Sequence, residues 1–403
     1  MTNDLITITG CGSISPLGFQ RDAIFAKYLS NENCLVEKYF NGKKYAVGCI
    51  SKNAEEQLSN LIIDNPKYKR LDRTILMAIH AAGLAFSESN RRGYAGKITG
   101  VNLGSSRGST ALFEQLHEEF LNDNSKRTSP YASPLTTLGF VSNQVAAHLN
   151  IAGPVIDTSV TCSTGIQAIC NAIAWIKAGM ADRFLAGGTE APLTNFTLAQ
   201  VEALGIYSDL LAIEYPCTPL SSVNEGLNTF VLGEGAAVFA IEKMKMQELK
   251  EKQPLCIIES VGFSFEKPVS LTGIAEDGSL LAASMKMAME NMITDNDIDL
   301  VLLHCPGTAK GDRAEMNAVK EVFRNVVPNL FSNKWKIGHT YAASAALSLE
   351  LALLCLQNNF SPDFPYKAIV NNHPKNIRKV MINATGFGGN ATSIIVSNPG
   401  LIE

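Results

Sequence analysis

Charge is scarce in this sequence: 18% of its 403 residues are Asp, Glu, Lys or Arg, against roughly 25% in average soluble domains. A surface so thinly charged suits burial against another subunit. Its 34 basic and 38 acidic residues leave a net charge of −4, which excludes a nucleic-acid binder driven by bulk positive charge. The 46% hydrophobic content excludes a disordered chain. No uninterrupted apolar run of about 18 residues occurs; the best stretch, 342–356, is broken by Glu350. The N-terminus lacks the basic and apolar regions of a secretion signal. The expectation is a soluble, cytoplasmic protein that contacts neither membrane nor nucleic acid. Paired cysteines are missing too. Nine are scattered along the chain (11, 34, 49, 162, 170, 217, 256, 305, 355) with no CxxC pair, which argues against a disulfide framework or a structural zinc site.

What is present is an alternation of strand-like and helix-like segments, the pattern of a layered α/β fold. At roughly 150 residues per domain the length implies two to three domains' worth of chain. Leu5–Thr9 reads as a strand running into the turn residues Gly10-Cys11-Gly12. Residues 72–85 have helical spacing. Val155-Ile156 leads into a helix from about Cys162 to Ala178, with Ile166, Ile169, Ile173 and Ile176 on one stripe. A buried strand, Ala236–Ile241, precedes the charged stretch Glu242–Lys252, after which the pattern restarts. Strands are expected at Cys256–Gly262 and Ile298–Leu303. Helices are expected at Leu280–Met292, Ala314–Phe323 and Thr340–Gln357, and a glycine-rich hairpin at 383–396. The charged stretch divides the chain into two similar α/β halves, 1–250 and 251–403.

Three segments carry candidate chemistry. In Thr158-Ser159-Val160-Thr161-Cys162-Ser163-Thr164-Gly165 a strand ends and a helix starts at or just after Cys162. That geometry sets the sulfur beside unpaired N–H groups of a first helical turn, whose dipole favours thiolate. A buried structural cysteine has the same local pattern. His304 ends a buried strand, and His339 opens the long helix from Thr340. A helix N-terminus pushes a histidine toward the neutral form, in which one ring nitrogen donates and the other accepts. Two such donors near a thiolate suit a developing enolate or oxyanion; singly, each fits an ordinary structural histidine. His80 lies on a helix pattern, and His117, His148 and His373 have no comparable setting. Asn383-Ala384-Thr385-Gly386-Phe387-Gly388-Gly389-Asn390 fits a tight hairpin, an oxyanion-hole N–H or a gate.

In this order, these segments resemble the β-ketoacyl-acyl carrier protein synthases, the elongating type II ketosynthases of the thiolase superfamily. The resemblance rests on Ile8-Thr9-Gly10-Cys11-Gly12 with Ser15-Pro16-Leu17-Gly18, on Tyr68-Lys69-Arg70-Leu71-Asp72-Arg73, and on the Cys162 segment. Further matches are Gly233-Glu234-Gly235-Ala236, His304 through Gly311-Asp312-Arg313-Ala314-Glu315, and Lys334 with Gly338-His339 and Gly386-Phe387-Gly388-Gly389.

The resemblance implies a thiolase-like, five-layered α/β/α/β/α sandwich of two similar halves. It implies that Cys162 takes an acyl group from a carrier protein, and that His304 and His339 stabilise the enolate left when malonyl-carrier protein loses carbon dioxide. Lys334 and Glu315 would order the site. The N–H groups of Cys162 and Phe387 would form the oxyanion hole, with Phe387 also a gate, and Thr308 and Gly388 would line the pantetheine tunnel. Lys67, Lys69, Arg70, Lys126 and Arg127 would dock the acidic acyl carrier protein; a plain solvated surface is the other reading of those charges. No cofactor or metal is implied, since substrates ride on the phosphopantetheine of a separate acyl carrier protein. The protein would be a homodimer, or a heterodimer with a second ketosynthase-like subunit, acting in fatty acid or specialised polyene or polyketide synthesis.

The sequence departs from the family's His-Gly-Thr-Gly-Thr run with His304-Cys305-Pro306-Gly307-Thr308. Trp335 replaces a serine, Ala342 and Ser344 replace part of Gly-Ala-Ala-Gly, and Thr385 replaces a phenylalanine. These changes bear on acyl specificity more than on the reaction. Two alternatives are a chain-length-factor-like partner subunit, which usually lacks the cysteine, and an acyl-CoA thiolase. A thiolase needs a second, C-terminal cysteine, and the nearest, Cys355, lies within a helix pattern.

Overall fold

Leu5, Ile6, Ile8 and Ile14 suit an extended chain, and every residue of strand β1 (Asp4–Ile14) after the first is buried, so neither face meets water. The polar groups trapped by this burial are paired: Thr9 and Ser13 donate to the carboxylates of Glu242 and Glu350. The strand runs beyond the expected Leu5–Thr9, through Gly10 and Gly12. A Cβ at either glycine would meet a backbone oxygen of the helix Arg73–Arg91, at 2.1 and 2.2 Å respectively. Close helix–strand packing, rather than a turn, requires these two glycines.

The computed structural model describes residues 4–93, 98–211, 213–221, 226–267, 273–293, 297–324, 326–368 and 374–401. The further strands are β2 (Val36–Phe40), β3 (Lys43–Gly48), β4 (Thr99–Gly104), β5 (Val155–Thr158), β6 (Arg183–Glu190), β7 (Leu232–Gly233) and β8 (Gly235–Lys245). They continue with β9 (Cys256–Phe265), β10 (Leu300–Leu302), β11 (Asn329–Phe331), β12 (Lys379–Gly386) and β13 (Asn390–Ser397). Strands β2, β3 and β7 form a small side sheet, and the rest lie in the order β11-β10-β12-β13-β9-β1-β8-β6-β4-β5.

That order is one pattern used twice. Counting β1, β4, β5, β6 and β8 as first to fifth, the first half reads 3-2-4-5-1 from its outer edge; β9 to β13 read 3-2-4-5-1 from theirs. In each half the fifth strand is antiparallel to both neighbours. The halves join through the first strands, β1 and β9, by three antiparallel residue pairs.

Helices complete five layers, α/β/α/β/α. Arg73–Arg91 packs on β1 and β8, and Phe140–Leu149 on β4 and β5, as one outer layer; Ser279–Glu290 packs on β9 and β13, beside Ala309–Phe323, as the other. The middle layer is Thr164–Lys177 and Ser344–Asn358, which touch each other and strands of both halves. The second of these is buried on every side from Ser344 to Leu356, as a helix enclosed by protein should be. Among the described residues no helix is long and apolar enough to cross a membrane.

The two outer edges differ. β11 is buried, with Asn329 donating to Ser361 Oγ and Pro362 O and with Phe331 stacked on Phe364 at 5.0 Å. Every residue of β5 is half-buried.

Candidate active site

Both middle helices begin later than their periodicity predicts, and for the same reason. Cys162 lies in a 3₁₀ turn, Thr161–Ser163, ahead of the helix Thr164–Lys177; Tyr341–Ala343 forms the same turn ahead of Ser344–Asn358. A hydroxyl closes each: Val160 N–H donates to Thr164 Oγ1 (2.8 Å) and Thr340 N–H to Ser344 Oγ (2.9 Å). Thr161 and Tyr341 sit in left-handed backbone, at φ 56° and 43°, a costly region for a β-branched or bulky residue and one that clusters at functional sites. Cys162 and Ala342 are therefore equivalent positions of one doubled elbow, and the two elbows touch.

The elbow leaves the Cys162 residue partly exposed but encloses its thiol. Burial, and then the Glu190 carboxylate, push that thiol up to about 12 against a weaker downward pull from Lys334. The thiolate expected from the helix dipole is not the resting form, because burial outweighs the dipole and the helix proper starts two residues on.

His339 is buried, and its Nδ1 accepts the Tyr341 N–H at 3.0 Å. A neutral ring accepting there carries its proton on Nε2, as a donor. Burial and then Lys334 push this imidazole down to about 3. His304 meets it edge to face, with ring centres 5.3 Å apart. Burial, then Lys334 and His339, hold His304 well below the usual imidazole range. Both rings are neutral, as expected, although burial rather than a helix terminus is the main cause.

Glu315 and Lys334 grip the chain that carries His304. Glu315 accepts the N–H groups of His304 (3.0 Å) and Cys305 (2.7 Å) together with Asn383 Nδ2 (3.0 Å). Lys334 Nζ donates to Leu303 O at 3.1 Å. Among the described residues the two do not form a direct ion pair; they act in parallel on neighbouring peptide groups. Thr308 follows on the same loop, half-buried before the helix Ala309–Phe323.

The β12–β13 turn lies over the elbow. Thr161 Oγ1 donates to Phe387 O at 3.1 Å, and a Cβ at Gly386 would stand 2.1 Å from that hydroxyl and 3.0 Å from the Cys162 nitrogen. Phe387 is 41% exposed, and Gly388 is exposed at φ 95°.

Lys67, Lys69 and Arg70 are exposed on the turn Pro66–Arg70, and Lys126 and Arg127 are exposed beyond the helix Thr110–Asn122. The Arg70 guanidinium lies 4.5 Å over the ring of Tyr131, a few residues beyond Arg127 in the chain. Arg73 and Glu234, from separate motifs, form an ion pair at 2.8 Å. His80 packs edge to face on Phe19, His117 stacks on Phe113, and His148 bonds Tyr68 OH; His373 lies outside the described residues. Cys355 is buried in mid-helix.

Sequence reasoning missed Glu190, Thr161 and Tyr341. Glu190 is buried at the end of β6 and accepts from Ser105 Oγ (2.7 Å), Ser106 N–H (2.9 Å) and Ala342 N–H (3.3 Å). Its signal was available: a carboxylate closing a buried strand whose only other charge is Arg183 at the far end.

The cysteine elbow touches a second elbow headed by His339, whose ring meets that of His304, all on a duplicated α/β sandwich, and the class of protein this fold and site fit is an acyl-transfer enzyme. The chain belongs to the β-ketoacyl synthase family: residues 3–246 match its N-terminal domain and 255–365 its C-terminal domain. It is 27% identical to 3-oxoacyl-[acyl-carrier-protein] synthase 2 of Staphylococcus aureus (strain COL), over 98% of each chain. Its fold is similar to a type II polyketide synthase ketosynthase solved with its acyl-carrier protein and bound to the hexaketide (TM-score 0.81, 21% identity, 98% of this chain and 99% of that one). It is also similar to the ishigamide ketosynthase/chain length factor (TM-score 0.82, 17% identity, 98% and 99%).

Proposed function

We propose that Cys162 is the acyl-accepting nucleophile of a decarboxylative Claisen condensation, with substrates delivered by an acyl carrier protein. The observation that carries this is the cysteine elbow meeting its twin elbow, where His339 and Tyr341 sit. In the first half-reaction the Cys162 sulfur attacks the thioester carbonyl, its proton leaves with the pantetheine thiol, and the acyl group stays on sulfur. In the second, the carbon–carboxylate bond of the malonyl group breaks, carbon dioxide leaves, and the enolate oxygen takes hydrogen bonds from His304 and His339. The enolate carbon then attacks the Cys162 acyl carbonyl, and the thiolate leaves. The N–H groups of Cys162 and Phe387 hold the oxyanion formed in each attack. Thr308 and Gly388 flank the pantetheine arm, and Lys67, Lys69, Arg70, Lys126 and Arg127 receive the carrier protein.

A second subunit, identical or ketosynthase-like, covers β5, since the equivalent edge β11 is covered by the chain itself. The similarity to a ketosynthase/chain length factor pair supports either partner. The presence of Cys162 with both histidines speaks against this chain being the non-catalytic member.

Intact-mass measurement after incubation with acyl-carrier protein should show one adduct, absent in Cys162→Ala. His304→Ala and His339→Ala should load but release carbon dioxide about 10²–10³ more slowly. Charge reversal at Lys69 and Arg70 should slow loading from the carrier protein, yet not from a small thioester. An adduct surviving in Cys162→Ala, or both histidine variants condensing at the normal rate, would overturn the mechanism.

A further inference from the structure

Arg107 has no part in that chemistry, yet it lies beside the site. It follows β4 in the loop 105–108. Its N–H donates to Glu190 Oε1 at 3.2 Å, while the other oxygen of the same carboxylate accepts Ala342 N–H at 3.3 Å. Its guanidinium stands 6.0 Å from the ring centre of Tyr341, the residue whose ring lies 5.5 Å from that of His339. The Tyr341 hydroxyl is close enough to both Cys162 and Arg107 for the first to raise its proton affinity and the second to lower it. Cys162, Tyr341 and Arg107 thus surround one buried carboxylate.

The guanidinium is only partly satisfied. Nη2 donates to Gln200 Oε1, but Nε is buried and, among the described residues, has no acceptor. Nor does any carboxylate among the described residues pair with the guanidinium. A buried N–H without an acceptor is unfavourable, and the half-buried Arg107 offers this one in a fixed fork suited to carboxylate or carbonyl oxygens. Glu190 does not fill this role, since its oxygens are engaged by the serines and by backbone N–H groups.

We infer that the acyl chain carried on Cys162 bears an oxygen function, a carbonyl or a carboxylate, bound by Arg107, and that Arg107 selects oxygenated over saturated acyl groups. This rests on Cys162 being the acyl carrier and adds the substrate class. A site built to hydrogen-bond an oxygen rejects the analogue lacking it far more strongly than an apolar pocket rejects an extra group. A long saturated chain would instead leave the buried Nε–H of Arg107 without an acceptor.

The test uses the full chain and three pantetheine thioesters of equal carbon number: hexanoyl, 3-oxohexanoyl and adipoyl. Acylation of Cys162 is followed by intact mass. At least one oxygenated thioester should load about tenfold or more faster than hexanoyl, and which one is faster separates carbonyl from carboxylate recognition. Arg107→Leu should abolish the preference while hexanoyl loads as before or faster; Arg107→Lys, keeping charge without the fork, should fall between. Hexanoyl loading as fast as both oxygenated thioesters in the unaltered protein would overturn the inference, with no variant needed. So would a preference that persists in Arg107→Leu. If no thioester acylates Cys162, the nucleophile assignment itself fails, a result distinct from equal loading of all three.

Discussion

Charge from Lys334 reaches Cys162, His304 and His339 alike, lowering the proton affinity of each. Its removal in Lys334→Met therefore moves the thiol further up and relaxes the depression of both imidazoles. With the thiol near 12 in the unaltered protein, only a small fraction ionises near neutrality. Iodoacetamide alkylation of Cys162 should climb about tenfold per pH unit from 7 to 10, and more slowly at every pH in Lys334→Met. A plateau below pH 9 would show an acidic thiol and refute the assignment. At this scale Cys162, His304 and His339 were legible because each sits at a strand end or helix start that the local sequence announces. Thiol acidity was not legible, since a helix dipole can be read from a turn whereas burial depends on segments far away in the chain. Arg107, Glu190 and Tyr341 stayed hidden for that reason: three separate segments bring them together.

Among the elements, the middle helix Ser344–Asn358 is the most informative, because it buries Glu350. Burial pushes that carboxyl from 4.5 up to about 7. The native state then binds the proton more tightly than the unfolded chain does. The stability it contributes is full below about 4.5 and is lost as pH rises through about 7. Glu350→Gln carries no such loss. Melting curves at pH 4.5 and 7.5 should show the native protein falling behind the variant by up to about 3 kcal/mol; parallel behaviour at both pH values would refute it. The helices and strands were largely legible, but their ends were not. The expected start at Thr340 missed a hydroxyl-closed turn, and the expected end of β1 at Thr9 mistook two packing glycines for turn residues. Periodicity reports which face is buried, and says little about which contact makes a glycine necessary.

For the whole molecule, the doubled topology makes the bare edge informative. Residues 361–364 cover β11, whereas nothing among the described residues does the same for β5. A 43.4 kDa chain should run as a species of twice that mass by light scattering, alone or with a second ketosynthase-like subunit. Hydrogen exchange at 155–158 should slow as concentration brings the subunits together. A lone chain whose mass and exchange ignore both concentration and candidate partner would remove the paired-edge proposal. The alternating pattern was legible as α/β, while the repeat itself, one strand order in β1 to β8 and again in β9 to β13, is a matter of topology. The register that joins the two halves, three residue pairs between β1 and β9, depends on an encounter that no local pattern records.

The touching elbows also bear on inheritance. A half-length chain could form that contact only by pairing with its own copy, and symmetry would force the same residue onto both sides. Any change that improved one side would be imposed on the other. Joining the halves in one chain releases that constraint. Position 162 can hold sulfur while 342 holds a methyl group, and the imidazole that precedes the second elbow has no counterpart before the first. The chain thus gains one asymmetric centre where a symmetric pair would have had two identical ones.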